Sequence, residues 1–359
     1  MTWKRLLACV SLLAFCAFTS GCGRGSGKTR LAFVSNNPHG FWTYAQRGCE
    51  AAEKDFDVEV DFRRPREGGG AAAQQAIIEE LMLLGVKGIA ISPSDPTNVQ
   101  VFLKTKVADK IPLLTQDNDI PDSKVRRAYV GTHNYRAGRA AGALVEKAIP
   151  KGGKIAIFVG QMGSTNAIER RQGLLDYLAG KKQDEIGDKT PADATNVKAG
   201  KYLLLDTRTD DELENICQQK AEEILLIHPD VDCLIGLWEY NPPAILRAVR
   251  SSKNAKKPAI VGFDENFQTL EAIQSGEIIG TVVQNPYKFG YESIKILAGL
   301  AKGDDKILTE RKDIDAQNRI FIPHRVIVKD PGDAKIGNSE TIDVNVFFPE
   351  VKKLRGEAK

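Results

Sequence analysis

Amides, carboxylates and aromatic rings stand directly after one short apolar run after another in this chain. Asn36, Asn37, Phe41 and Trp42 follow the run 31–35, and Asp117 and Asn118 follow the run 112–114. Trp238 and Asn241 follow 233–237, Phe263 and Asp264 close the run that starts at Ala259, and Gln284 follows 280–283. Asn166 and Arg170 lie four residues apart on a helical pattern that begins near Ser164. These residue types suit hydroxyl-rich ligands. A hydroxyl both donates and accepts, so planar amides, carboxylates and guanidinium groups can bond hydroxyls in pairs. The C–H faces of a pyranose are apolar and pack on aromatic rings. Each position also has a plainer role open to it. Asn37 precedes Pro38 and could serve a turn, Phe41 and Trp42 could be core, Asp264 could cap a helix, and Arg170 could lie on a surface.

Nucleophilic and metal chemistry have little support. His39, His133, His228 and His324 show no HExxH or HxH spacing, and no GxSxG elbow occurs. Neither a catalytic group, a metal site nor a cofactor is expected, and an enzyme acting on a sugar is the weaker alternative. Cys49, Cys217 and Cys233 fall inside helix or strand patterns, where buried thiols are the default. A Cys217–Cys233 bridge is conceivable, with reduced thiols preferred. Across 359 residues, 50 Lys+Arg against 47 Asp+Glu leave a formal charge of +3, so charge gives no reason to expect nucleic acid.

The elements that must position these residues alternate. Ten apolar runs in two series, 31–35 to 128–130 and then 154–159 to 280–283, are separated by amphipathic stretches. Ala45, Cys49, Ala52 and Phe56 share one helix face, as do Tyr287, Tyr291, Ile294, Ala298 and Ala301 between Pro286 and Gly303. All-apolar strands alternating with helices predict an α/β chain with doubly wound, Rossmann-like parallel sheets in two lobes. A TIM barrel is the competing architecture, but the runs at 112–114 and 128–130 lack a helix between them. In open α/β sheets ligands sit beyond the strand carboxyl ends, which is where the polar and aromatic residues fall. The stretch 181–201 reads as an exposed loop, and the chain beyond Asp330 reads as an irregular, solvated tail.

Lys4 and Arg5 precede a 13-residue mostly apolar run, Leu6 to Phe18, followed by Thr19-Ser-Gly-Cys22. Thirteen helical residues cover roughly 20 Å, short of a hydrocarbon core of ~30 Å, so a signal peptide is preferred to a spanning helix. The cysteine after small residues resembles a bacterial lipobox, which implies cleavage before Cys22 and lipidation there. Gly23 to Thr29 reads as a Gly/Ser linker, because a P-loop would need glycine at position 22 and a preceding strand.

From Leu31 to Val328 the chain resembles periplasmic sugar-binding proteins of ABC transporters, of the ribose-binding type. The resemblance is carried by Asn36-Asn-Pro-His-Gly-Phe-Trp42, Gly88-Ile-Ala-Ile-Ser-Pro-Ser-Asp95, Gln116-Asp-Asn118, Asn166-Ala-Ile-Glu-Arg170, Val261-Gly-Phe-Asp264 and Thr281-Val-Val-Gln284. It implies sugar contacts from Asn37, Phe41, Trp42, Asp117, Arg170, Asp264 and Gln284, with Phe263 stacking. Asn118 stands where the ribose binder has a basic residue, and Trp238 where it has an asparagine, so the resemblance does not single out ribose. It further implies an N-terminal lobe of 30–132 plus 285–323 and a C-terminal lobe of 133–284 plus 324–345, with 346–359 left as a tail. Crossovers are placed near Thr132-His133, Gln284-Asn285 and Ile322-Pro323. The implied protein is an exported, lipid-anchored monomer that captures a monosaccharide by lobe closure and delivers it to an ABC transporter permease. Presentation of the ligand to a membrane chemoreceptor or signalling kinase is the alternative partner. A regulator of the LacI type shares the two-lobe core but needs an N-terminal helix-turn-helix, and only a signal and linker precede the first strand.

Overall fold

The computed structural model describes residues 27–183, 185–332 and 335–356. Residues 1–26, and with them the signal and Cys22, lie outside the described residues.

Two open sheets divide the chain. The first is built from β1 (Thr29–Val34), β2 (Val58–Arg63), β3 (Ile89–Ile91), β4 (Leu113–Gln116) and β5 (Ala128–Gly131), with β12 (Arg319–Phe321) returning late in the chain. Its order is β12-β5-β4-β3-β1-β2, and every pairing is parallel. The second contains β6 (Gly153–Val159), β7 (Val197–Ala199), β8 (Tyr202–Thr209), β9 (Cys233–Gly236), β10 (Ala259–Phe263), β11 (Gly280–Val283), β13 (Arg325–Val328) and β14 (Glu340–Asp343). Its order is β14-β13-β11-β10-β9-β6-β8-β7, parallel except at β7 with β8 and β11 with β13. Two separate sheets exclude the barrel.

Helices cover both faces of each sheet, which is why the central strands carry unbroken apolar runs. On the first sheet are α1 (Phe41–Phe56), α2 (Gly70–Leu83), α3 (Pro96–Leu103), α9 (Pro286–Ala301) and the short α10 (Lys306–Thr309). On the second are α4 (Asn134–Ala148), α5 (Thr165–Leu178), α6 (Glu214–Ile227), α7 (Asn241–Ser251), α8 (Phe267–Ser275) and α11 (Val344–Arg355). The chain passes between sheets at 132–133, 284–285 and 322–324. None of the described helices is long and apolar enough to cross a membrane.

Four strands were not foreseen: β7, β12, β13 and β14. Three of them are sheet edges of three or four residues, too short and too half-solvated to display a period. β7 also ends the stretch 181–201, which is therefore not a loop throughout. The tail is corrected more substantially. Residues 344–355 form α11, which buries Val344, Phe347, Phe348 and Val351 against the second sheet's lobe. Its apolar spacing of three, one and three residues is a helix face hidden among charges.

Cys49, Cys217 and Cys233 are free, buried thiols, so the conceivable bridge between the last two is not formed.

Candidate functional site

The strand ends of the two sheets face each other across a cleft with about 400 Å³ of empty space, part of it open to solvent. Nine of the twelve expected site residues line it: Asn37, Phe41, Trp42, Asp117, Asn166, Arg170, Trp238, Asp264 and Gln284. Local geometry explains the two aspartates. Asp117 follows β4 and Asp264 follows β10, and both sit in the left-handed region at φ 59° and 64°. A short polar side chain tolerates that conformation better than a bulky one. Each backbone N–H stays on its sheet, Asp117 donating to the Val130 carbonyl at 3.1 Å and Asp264 to Val282 at 2.8 Å.

Arg170 occupies the centre and is 1% exposed. Its Nε donates to Asn134 Oδ1 at 3.0 Å, its Nη1 donates to the Leu237 carbonyl at 2.9 Å, and its guanidinium lies 4.3 Å over the Phe263 ring. Asp264 Oδ2 is 3.9 Å from Nη1, an ion pair too long for a direct hydrogen bond. Gln284 Nε2 donates to Asp264 Oδ1 at 3.0 Å, and Ser92 donates to Asp117 Oδ2 at 3.0 Å. On the opposite wall, the Trp42 indole N–H is shared between Asn36 Oδ1 and Asn37 Oδ1 at 3.1 and 3.0 Å. That bond holds the indole against the first strand end.

Burial pushes the carboxyl of Asp117 up to about 6, against the opposing pull of Arg170 and the Ser92 hydroxyl. It pushes Asp264 up as well, again opposed by Arg170. Glu239 is raised to about 7 by burial, and His39 is lowered by burial.

Buried polar atoms converge on the cleft without a protein partner. Arg170 Nη2 and Trp238 Nε1 are donors, Asn166 Oδ1 and Gln284 Oε1 are acceptors, and His39 Nε2 can be either. Each orphan costs about 1–3 kcal/mol, so their grouping on one cavity marks a place for a ligand that both donates and accepts.

Three expected residues do not reach the cavity. Phe263 is fully buried beneath Arg170, so its ring stacks on the guanidinium rather than being open to a ligand. Asn118 spends its amide on the Pro93 carbonyl and accepts from the Asn166 N–H across the lobes at 3.3 Å. Asn241 accepts from the Trp238 N–H and donates to Asp210, positioning the tryptophan loop from behind. Three lining residues were missed, His39, Glu239 and Tyr240, and a fourth, Asn36, was noted at its strand end without being assigned a ligand contact. All four are neighbours of named residues on the same loops. Tyr240 is anchored by its hydroxyl to Asp210 and packs 5.1 Å from the His39 ring across the cleft. Among the described residues, no cluster of His, Cys, Asp and Glu is arranged to hold a metal ion.

A family model described as a periplasmic binding protein domain matches residues 32–305. The D-allose-binding periplasmic protein of Escherichia coli is 26% identical over 275 residues, covering 74% of this chain and 82% of that protein. The ribose import binding protein of Salmonella typhimurium is 25% identical over 313 residues, covering 85% and 95%. Among solved structures, a solute-binding protein of an ABC transporter from Burkholderia graminis, in complex with D-arabinose, superposes with a TM-score of 0.71 at 24% identity. The match covers 85% of this chain and 97% of that one. Another, from Agrobacterium vitis with bound alpha-D-tagatopyranose, gives 0.73 at 19% identity, covering 87% and 99%. With the family model spanning most strands of both sheets and every strand end that lines the cleft, this chain belongs to the periplasmic binding protein domain family.

Proposed function

We propose that the protein is an exported solute-binding protein that captures a monosaccharide in the cleft and delivers it to an ABC transporter permease. The observation that carries this reading is the ring of unpartnered buried donors and acceptors, which matches hydroxyl chemistry, around Arg170 and two carboxylates. The indoles of Trp42 and Trp238 add apolar surface for sugar C–H faces. Asn37, Phe41, Trp42 and Asp117 come from the first sheet's lobe, and Asn166, Arg170, Trp238 and Asp264 from the second. A ligand bonding both sets favours the closed arrangement by its differential contacts. The lobes proposed to move are 30–132 with 285–323 and 133–284 with 324–345, α11 travelling with the second. Export and lipidation at Cys22 are proposed from the N-terminal sequence, and a lipid anchor would hold the protein at a membrane surface.

Trp42 and Trp238 are the only tryptophans after residue 3. Titration of intrinsic fluorescence against pentoses, hexoses and polyols is expected to give a saturable change with at least one of them. A flat response throughout, matched by flat calorimetry, would sink the sugar reading.

Affinity is also expected to depend on pH through Asp117. Its folded value of about 6 lies above the ordinary 3.8, so only above that point is the carboxyl ionised, with both oxygens accepting charge-assisted bonds from sugar hydroxyls. Binding should weaken as pH falls through 6, by roughly tenfold per unit once protonation is dominant. The stability term has the opposite sense: it is fully present below the unfolded value and is lost as pH rises through about 6. Titrations from about pH 8 to about pH 5 test the first statement, and Asp117→Asn should flatten the profile. An unchanged profile in that variant would assign the step to another group.

A further inference from the structure

Helix α11 ends at the seam between the lobes. Its apolar face is anchored on the second lobe, where Phe348 packs edge-on to Phe267 with ring centres 5.2 Å apart. Its last turn carries Lys352, Lys353 and Arg355, cations placed favourably at a helix carboxyl end. Arg355 then reaches across. Its guanidinium lies 4.4 Å from the Phe267 ring on α8 and 5.2 Å from the Tyr44 ring on α1. One cation is thus held between aromatic faces from both lobes.

The same guanidinium meets the start of α1. A Cβ placed on Gly40 would stand 3.1 Å from Arg355 Nη2 and 3.8 Å from Glu239 Oε1. Gly40 immediately precedes Phe41 and Trp42, and Glu239 lines the cleft, so Arg355 closes the edge where the two walls meet. Beyond it, Gly356 turns at φ 77° beside Arg47 of α1. The second lobe's core buries the apolar face of α11 without help from Arg355, and Tyr44 of the first lobe packs against that same core.

We propose that Arg355 is a positioning residue for closure, and that α11 is a latch whose guanidinium docks on Tyr44 and Gly40 and lengthens the stay of the bound ligand. The inference rests on the reading of the cleft as a closing sugar site. Cation–π contacts between buried and half-buried partners strengthen a closed state without touching the ligand, so they act on dissociation and leave the choice of sugar alone.

The test compares wild type with Arg355→Ala, Arg355→Lys and Tyr44→Leu. Stopped-flow fluorescence with the sugar that binds best in the panel is expected to show dissociation about tenfold faster in Arg355→Ala. Arg355→Lys should be intermediate, and the order of preference among sugars should not change. Tyr44→Leu should reproduce most of the effect, and the double variant should add little to it, as two ends of one contact require. Small-angle X-ray scattering of the ligand-free proteins should give a larger radius of gyration for Arg355→Ala. Wild-type dissociation rates together with wild-type radii would overturn the latch. So would a lower melting temperature with both readouts unchanged, which would make Arg355 merely structural. If no sugar binds even to wild type, the sugar reading fails separately, and equal radii of the ligand-free proteins then overturn the latch by themselves.

Discussion

Arg170→Leu is expected to raise the dissociation constant for sugar at least about 100-fold, the largest effect of any single change in the cleft. Removing one member of a buried charge pair costs about 3–5 kcal/mol, and here several contacts go at once. The Asn134 amide, the Leu237 carbonyl and the Phe263 ring each lose their partner, and Asp264 is left as a buried carboxylate facing no cation. The unpartnered Nη2, the best-placed donor for a ligand hydroxyl, is removed as well. Isothermal calorimetry measures the loss, and an affinity within about threefold of wild type would mean that Arg170 serves the fold alone. Arg170→Lys keeps the charge but cannot supply the planar fork to Asn134 and Leu237 together, so it should fall near leucine rather than near wild type. Arg170→Leu should also melt earlier than wild type without ligand, because the charge on Asp264 then lacks compensation, whereas Arg170→Lys keeps a cation there and should lose less.

Gly173→Ala is expected to cost the fold at least about 1–3 kcal/mol, as overpacking a close contact does, although it adds a single methyl group. Helices α4 and α5 cross with their backbones touching. A Cβ on Gly173 would lie 2.0 Å from the Tyr135 carbonyl oxygen, and one on Gly138 would lie 2.0 Å from that of Arg170. Neither obstacle is a flexible side chain, so the helices must separate. Because Gly138 packs on the backbone of Arg170, separation also displaces the central residue of the cleft. Urea denaturation should show a lower midpoint for Gly173→Ala, with weaker sugar binding by the protein that remains folded. Wild-type stability would show that the crossing can widen freely. The first lobe uses the same device, with Gly48 against the Tyr287 carbonyl and Gly290 against that of Ala45.

Much of the site was legible because the chemistry lies at strand ends. A buried parallel strand must be apolar throughout, so the residue that ends the run is where the chain reaches water or ligand. Asp117, Asp264 and Gln284 are visible for that reason. Arg170 is visible only as part of a helix pattern, and its central place depends on the crossing of α4 and α5. Phe263, Asn118 and Asn241 carry the expected residue types but look inward, and sequence position does not distinguish an aromatic ring open to a ligand from one lying under a guanidinium. His39, Glu239 and Tyr240 were missed because a loop residue's direction is set by the opposite lobe. The His39 ring meets Tyr240, some two hundred residues away in the chain, only when both strand ends face one cleft.

The amino-acid sequence by itself determined the class of fold, the two series of strands and the polar and aromatic character of the strand ends. Local periodicity and the burial demands of parallel sheets are sufficient for that. Only the tertiary structure decided which polar atoms are left without partners, which aromatic rings are already occupied, and that residues 344–355 form a helix at the lobe seam. Those facts are sums over contacts between distant segments. The four apolar residues that α11 buries carry no sign in the sequence of the surface that will cover them, and Arg355 has a role only because Tyr44 and Phe267 are brought to either side of it.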